Sequence, residues 1–87
     1  MYRIDYQDGT CDTADSLIKA RRLSFERMTD RPQKAPIIIY RPNGMRSGMV
    51  IQKYEGIILW ETFSERRGSI DHKLLKDGKV IENRMRF

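Results

Sequence analysis

Four dipeptides that favour tight turns divide this chain into short segments, and they constrain its fold more than any other feature. They are Asp8-Gly9, Asn43-Gly44, Glu55-Gly56 and Asp77-Gly78. At Asn43-Gly44 and Asp77-Gly78 the glycine can adopt the positive φ that a tight hairpin needs, so the strands on either side are expected to run antiparallel. Glu55-Gly56 is expected to be the turn between two further strands, and Asp8-Gly9 to turn the chain ahead of a helix. Most of the segments between these turns are apolar or alternating runs of strand length. The sequence therefore predicts a meander of β-strands.

The predicted strands differ in how many of their faces are apolar. Tyr2, Ile4 and Tyr6 alternate with polar residues, which indicates a first strand with one buried face. Residues 37–40 are apolar on both faces, which favours an inner strand that is covered on both sides or that meets a partner. In the last predicted strand, residues 80–87, apolar and charged side chains alternate. We expect that strand to be half exposed and able to join a partner's sheet.

Residues 14–28 form the one segment with helical periodicity. At 100° per residue its apolar side chains fall on one stripe; they are Ala14, Leu17, Ile18, Phe25 and Met28. Thr13 or Asp15 is the expected N-cap, because a side-chain oxygen there satisfies an unpaired backbone amide. Arg21 lies near the middle of the stripe, so we expect its stem to pass over apolar surface toward water or its guanidinium to pair with an acid of the sheet.

The order of these segments predicts an α+β fold. One N-terminal amphipathic helix packs on a mainly antiparallel sheet of four to six strands, in the order strand, helix, strands. The sheet can curl, because two inner strands are apolar on both faces; otherwise the surplus apolar surface forms a homo-oligomer interface. A chain of 87 residues supports one core, so we expect a single domain over residues 1–87.

Cysteine usage and hydropathy indicate a cytoplasmic protein. Cys11 is the only cysteine, so no disulfide can form within the chain, and a reducing compartment suits it. The first thirty residues contain four aspartates and no apolar run, which does not fit a secretory leader. The longest apolar runs are too short to span a bilayer, so no membrane association is expected.

The sequence contains no recognisable catalytic, metal-binding or cofactor-binding motif. One cysteine and one histidine cannot build a structural zinc site. Asp5, Asp8 and Asp12 lack the other ligands of a calcium loop, and Gly44 and Gly48 lack the spacing of a phosphate-binding loop. We therefore predict no catalytic residue, no metal and no cofactor.

The positive charge is concentrated in one part of the chain. The net charge is +5, yet residues 17–53 carry nine basic and two acidic side chains, and residues 1–16 are net acidic. This asymmetry favours an anionic partner, although a solvated charged face explains the same residues almost as well. The predicted binding residues lie on the helix, off its apolar stripe, and beside the Asn43-Gly44 turn: Lys19, Arg22, Arg27, Arg41 and Arg46.

Three functions are compatible with these features. The first is a non-enzymatic binding module whose partner is nucleic acid or a nucleoprotein complex. The second is an adaptor or inhibitor directed at a protein, of the compact kind that mobile elements use against host machinery. The third is a metal-independent ribonuclease in which His72 acts with Arg66 or Arg84, since a general base and positive charges can cleave a phosphodiester.

Overall fold

The computed structural model describes residues 1–54, 56–64, 69–76 and 79–81. These contain one helix, α1, and seven strands, β1 to β7. In chain order the elements are β1 (Tyr2–Asp5), β2 (Cys11–Ala14), α1 (Leu17–Asp30), β3 (Ile37–Tyr40), β4 (Arg46–Tyr54), β5 (Ile57–Ser64), β6 (Ser69–Lys76) and β7 (Lys79–Ile81).

All the strands join one antiparallel sheet in the order β2-β1-β3-β4-β5-β6-β7. The sheet is open, since β2 and β7 form its two edges. Helix α1 contacts β1 to β4 on one face and also approaches β7. The α+β class and the antiparallel sheet are confirmed, and the sheet is not closed into a barrel.

The predicted order of strand, helix, strands is wrong, because two strands precede the helix. The strand that the sequence did not predict is β2, which pairs with β1 through Tyr2 and Ala14 at one end and Asp5 and Cys11 at the other. Three of its four residues are exposed. A short edge strand of this kind has no alternation of apolar and polar residues. Its residues were therefore interpreted as the loop and N-cap that precede the helix.

The helix therefore begins later than predicted, at Leu17. Its N-cap is Ser16, in extended conformation, whose hydroxyl accepts a hydrogen bond of 3.2 Å from the backbone N–H of Lys19. Thr13 cannot cap the helix because it lies in β2, and Asp15 lies in the turn before the cap. At the other end the Arg31 amide donates to the Arg27 carbonyl, just before Pro32.

The buried face of α1 is rotated from the predicted stripe. Ala20, Ser24 and Met28 are fully buried, whereas Ile18 is 54% exposed. Ala20 and Ser24 are small, so the helix axis can come close to the sheet. The Ser24 hydroxyl donates a hydrogen bond of 2.8 Å to the Ala20 carbonyl within the helix. Because the buried hydroxyl has this partner, its burial costs little free energy. The prediction that Ile18 faces the core is wrong.

The core lies between α1 and the central strands. Ile4, Ile37, Ile39 and Val50 are buried beneath the helix. Ile38 points to the opposite face and is only 8% exposed. The prediction that residues 37–40 form an inner strand is thus confirmed, since β3 lies between β1 and β4 and is covered on both faces. Because β1, β3 and β4 all pack their side chains under α1, this core fixes the position of the β3–β4 hairpin.

Candidate nucleic-acid interface

The structure divides the five predicted binding residues among three places. Lys19 and Arg22 lie on the exposed side of α1 next to the edge strand β2. Arg27 lies at the carboxyl end of α1 against the β1–β2 hairpin. Arg41 and Arg46 flank the turn of the β3–β4 hairpin. The sequence placed these residues in one group, and the fold separates the two hairpin arginines from the helical ones.

Arg27 is occupied by contacts within the protein. Its guanidinium forms an ion pair with Asp8 and lies 4.5 Å from the centre of the Tyr6 ring. The Tyr6 hydroxyl in turn donates to Asp12 at 2.8 Å. These contacts tie the β1–β2 hairpin to the end of the helix, so the Arg27 charge is largely neutralised before any partner arrives.

The ionisation of this cluster follows from its surroundings. Burial raises the pKa of the Tyr6 hydroxyl well above its ordinary value, and the hydrogen bond to Asp12 raises it further. Hydrogen bonds from the side chain and the amide of Thr10, with the nearby Arg27 charge, hold the pKa of Asp8 below its ordinary value. Tyr6 is therefore neutral and Asp8 charged near neutral pH, which suits a structural cluster.

Lys19 and Arg22 lie beside a shallow open cavity of about 450 Å³. Lys19 forms an exposed ion pair of 3.2 Å with Asp15, one helical turn earlier. Arg22 is exposed and has no ion pair with any described residue. Leu23, which is partly buried and packs against the core, also lines this cavity. This cavity carries both signs of charge, so it is not a basic surface.

Hydrogen bonds hold the turn of the β3–β4 hairpin, residues 41–45. The amide of Arg41 donates to the carbonyl of Met45 at 2.7 Å, and the amide of Gly44 donates to the carbonyl of Arg41 at 2.8 Å. The Asn43 side chain accepts from the Met45 amide at 3.0 Å. Gly44 has a φ of 86°, which its lack of a side chain permits, as the Asn43-Gly44 signal predicts. The two flanking arginines are thus held on a defined backbone.

Arg3, Tyr40 and Arg46 form one row across three neighbouring strands. Tyr40 on β3 is directly opposite Arg3 on β1, and it pairs with Arg46 on β4 across a bulge where the register shifts by one residue after Ile39. Residues directly opposite each other in a regular antiparallel pair share a face of the sheet, as Arg3 and Tyr40 do. The Arg3 guanidinium lies 4.4 Å from the centre of the Tyr40 ring, and Arg3 and Arg46 are exposed.

We define the hairpin patch as Arg3, Tyr40, Arg41 and Arg46. Among the described residues none of its three arginines has an ion-pair partner, so their charges are available to an anion. Arg3 was missed in the sequence, where the alternation of β1 places it off the buried face but does not identify its neighbours. Only the pairing of β1 with β3 brings Arg3 to Tyr40.

Arg21 has a structural role that differs in part from the expectation. Its guanidinium lies 4.8 Å from the centre of the Trp60 ring, and no acid of the described residues pairs with it. Burial lowers the pKa of Arg21, which the nearby Tyr2 partly opposes. Arg21 is half-buried, and its Nε is buried without a hydrogen-bond partner among the described residues. Stacking on an indole thus replaces the expected pairing with a carboxylate.

Of the residues considered for a ribonuclease site, the structure describes only the strand position of His72. His72 lies on β6 directly opposite Glu61 on β5. Arg66 and Arg84 lie outside the described residues. The single cysteine, Cys11, is exposed on β2. In the parts of the chain that the structure describes, no three histidine, cysteine, aspartate or glutamate side chains come close enough to hold a metal ion.

The described helix is also too short and too polar to cross a bilayer. Comparison of the chain with protein-family models, with curated proteins and with solved structures gives no match.

Proposed function

We propose that this protein is a non-enzymatic nucleic-acid-binding module and that the hairpin patch is its binding surface. The observation that carries the proposal is the row in which Tyr40 has Arg3 as its neighbour on β1 and Arg46 as its neighbour on β4. Arginine neutralises phosphates, and a tyrosine ring offers a surface on which a base can stack. No other cluster among the described residues combines several unpaired cations with an aromatic ring.

The energy available to such a patch is modest. Stacking of one base on an aromatic ring contributes about 1–3 kcal/mol to binding. Each phosphate contact adds a favourable electrostatic contribution that decreases as the salt concentration rises. Four side chains are enough for one or two nucleotides. We therefore expect binding that is tight only in low salt and that has little preference for base sequence.

The proposal is tested with three paired substitutions, each of which removes two positive charges. Arg41→Gln/Arg46→Gln removes charge from the hairpin patch. Lys19→Gln/Arg22→Gln removes charge beside the cavity. Arg31→Gln/Lys34→Gln is the matched control, because both residues are exposed and lie at the opposite end of β3 from the hairpin turn.

Binding is measured by fluorescence anisotropy with a labelled single strand of about ten nucleotides, within the range that small domains cover. The hairpin pair is expected to weaken binding about tenfold or more, and the control pair only slightly. Equal losses in all three variants would mean that net charge alone drives association. Undetectable binding of the unmodified chain in low salt would remove the proposal altogether.

A second candidate function is that of an adaptor or inhibitor directed at a protein. The open edge of the sheet at β2 favours it, since an edge strand can pair with a strand from another chain. A pull-down from nuclease-treated lysate tests it, and recovery of no protein in stoichiometric amount would count against it.

A third candidate is a metal-independent ribonuclease, favoured by the register in which His72 on β6 is the partner of Glu61 on β5. Loss of RNA cleavage on His72→Ala is the expected result, and retained cleavage would remove the role of His72. The single cysteine supports a cytoplasmic location for all three functions.

A further inference from the structure

We propose that two copies of this chain associate by pairing their β2 strands across a twofold axis that passes beside Thr13. This interface is separate from the hairpin patch and does not depend on nucleic-acid binding. It extends the antiparallel sheet from one copy into the other and places the two α1 helices on the same face of the joined sheet.

The first observation is that β2 presents unpaired main-chain groups at the edge of the sheet. The Tyr6 amide donates to the Thr10 carbonyl at 3.3 Å, which closes the β1–β2 hairpin. Hydrogen-bonded pairs alternate along an antiparallel ladder, so Asp12 and Ala14 are the next residues of β2 to bond to β1. The main-chain groups of Cys11 and Thr13 therefore point away from β1, where no described strand pairs with them.

The second observation is that β2, although short, carries neither of two residues that commonly keep an edge strand from pairing. Its residues are Cys-Asp-Thr-Ala, with no lysine and no proline. Its one charged side chain, Asp12, accepts a hydrogen bond from the Tyr6 hydroxyl at 2.8 Å. The outward main-chain groups of β2 therefore remain accessible to a second strand.

The third observation is that the surface next to β2 is electrically neutral in a protein of net charge +5. The cavity between β2 and α1 is lined by two acids and two bases, Asp15, Glu26, Lys19 and Arg22, together with apolar Leu23 and Met1. Two positively charged molecules repel each other least where their surfaces are locally neutral and carry both signs. Met1 is 67% exposed, and the second copy would cover it.

The register follows from side-chain compatibility. The two β2 strands can form hydrogen bonds only if the outward-pointing main-chain groups of one copy lie opposite those of the other. This condition is met when the twofold axis passes beside Cys11, Asp12 or Thr13. An axis beside Asp12 would bring two carboxylates opposite each other, which is unfavourable, whereas two threonines opposite each other are favourable. An axis beside Thr13 also brings together the two cavities, which Thr13 itself lines.

The first test is the mass of the full chain by sedimentation velocity over a range of concentrations. We expect a concentration-dependent dimer that Thr13→Pro converts to monomer, because proline removes the outward-facing N–H and is tolerated on edge strands. Thr13→Val is the matched control, since it keeps the N–H and should remain dimeric. A chain that stays monomeric at every concentration would overturn the proposal.

The second test keeps the proposal falsifiable if Thr13→Pro does not fold. Opposed Thr13 Cα atoms would lie about 5.5 Å apart, within the range that a disulfide spans. In a Cys11→Ser background, Thr13→Cys should form a reducible dimer in a glutathione buffer, whereas Thr29→Cys, on the exposed side of α1, should not. A dimer that Thr13→Cys fails to cross-link would place the interface elsewhere and contradict the proposed pairing.

Discussion

Replacing Gly48 by alanine is the substitution whose cost the structure defines most sharply. Gly48 lies on β4 opposite Ile39, and a Cβ built on it would lie 2.7 Å from the backbone oxygen of Glu61 and from Cη2 of Trp60. Both distances are far shorter than normal contacts, and one neighbour is main chain, which cannot rotate away. Overpacking of this kind costs about 1–3 kcal/mol, and we expect Gly48→Ala to lie at the upper end.

Urea unfolding followed by circular dichroism measures this cost, and thermal unfolding provides a second reading. A loss of about 3 kcal/mol corresponds to a fall in Tm of about 15 °C for a domain of this size. Trp60 is the single tryptophan and is 3% exposed, so its emission should shift to longer wavelength when the ring is displaced. The variant should therefore differ from the unmodified chain in both stability and fluorescence.

A double-mutant cycle separates the ring contact from a general effect of the substitution. The clashing atoms of Trp60 belong to the six-membered ring of the indole, so Trp60→Phe should reduce the cost of Gly48→Ala by about 1 kcal/mol. Gly44→Ala is the control, because Gly44 has a positive φ but open space around it, and its cost should be the same with either ring. A Gly48→Ala variant with unchanged stability and emission would refute the close packing of Trp60 on β4.

Three further outcomes are expected. The hydrogen bonds from Thr10, together with the Arg27 charge, lower the pKa of Asp8, so these contacts stabilise the fold at neutral pH and their contribution is lost as the pH falls below about 4; Asp8→Asn should flatten this acid-side loss in urea titrations taken between pH 6 and pH 3. Ser16→Ala should cost about 1 kcal/mol in the same assay, because it removes the N-cap, and Ser16→Asp should restore most of the loss. Tyr6→Phe should cost about 1 kcal/mol through the lost bond to Asp12, and spectrophotometric titration of the unmodified chain should show one more tyrosine resisting ionisation than in the variant.

The turn signals predicted most of the sheet because their chemistry is local. Asn43-Gly44 forms the turn between β3 and β4, and the apolar runs on either side of it became strands. β2 escaped prediction for the opposite reason. Its pairing with β1 is made by main-chain atoms, and its exposed side chains carry no period that a sequence pattern could reveal.

The helix shows how small residues mislead a pattern based on hydrophobicity. Ala20 and Ser24 contribute little to an apolar stripe, yet they occupy the most buried positions because they allow close approach to the sheet. Ile18 is strongly apolar and remains exposed. The predicted buried face of α1 was therefore rotated toward the large apolar residues and away from the face that contacts the sheet.

The candidate site depended on strand order, which the sequence does not encode locally. Arg41 and Arg46 were predicted from their position beside a turn, and they lie there. Arg27 looked equally available, but its ion pair with Asp8 depends on the β1–β2 hairpin folding back on the helix. Arg3 joins the hairpin patch only because β3 returns beside β1 after the whole length of the helix.

The salt dependence of nucleic-acid binding tests the role of the hairpin patch most directly. For a single strand, each phosphate contact contributes about −0.7 to the slope of log K against log salt concentration. Removing two contacts with Arg41→Gln/Arg46→Gln should therefore make the slope shallower by about 1.4, whereas Arg31→Gln/Lys34→Gln should leave it almost unchanged. If the hairpin pair keeps the slope of the unmodified chain, Arg41 and Arg46 do not contact phosphates and the hairpin patch is not the binding surface.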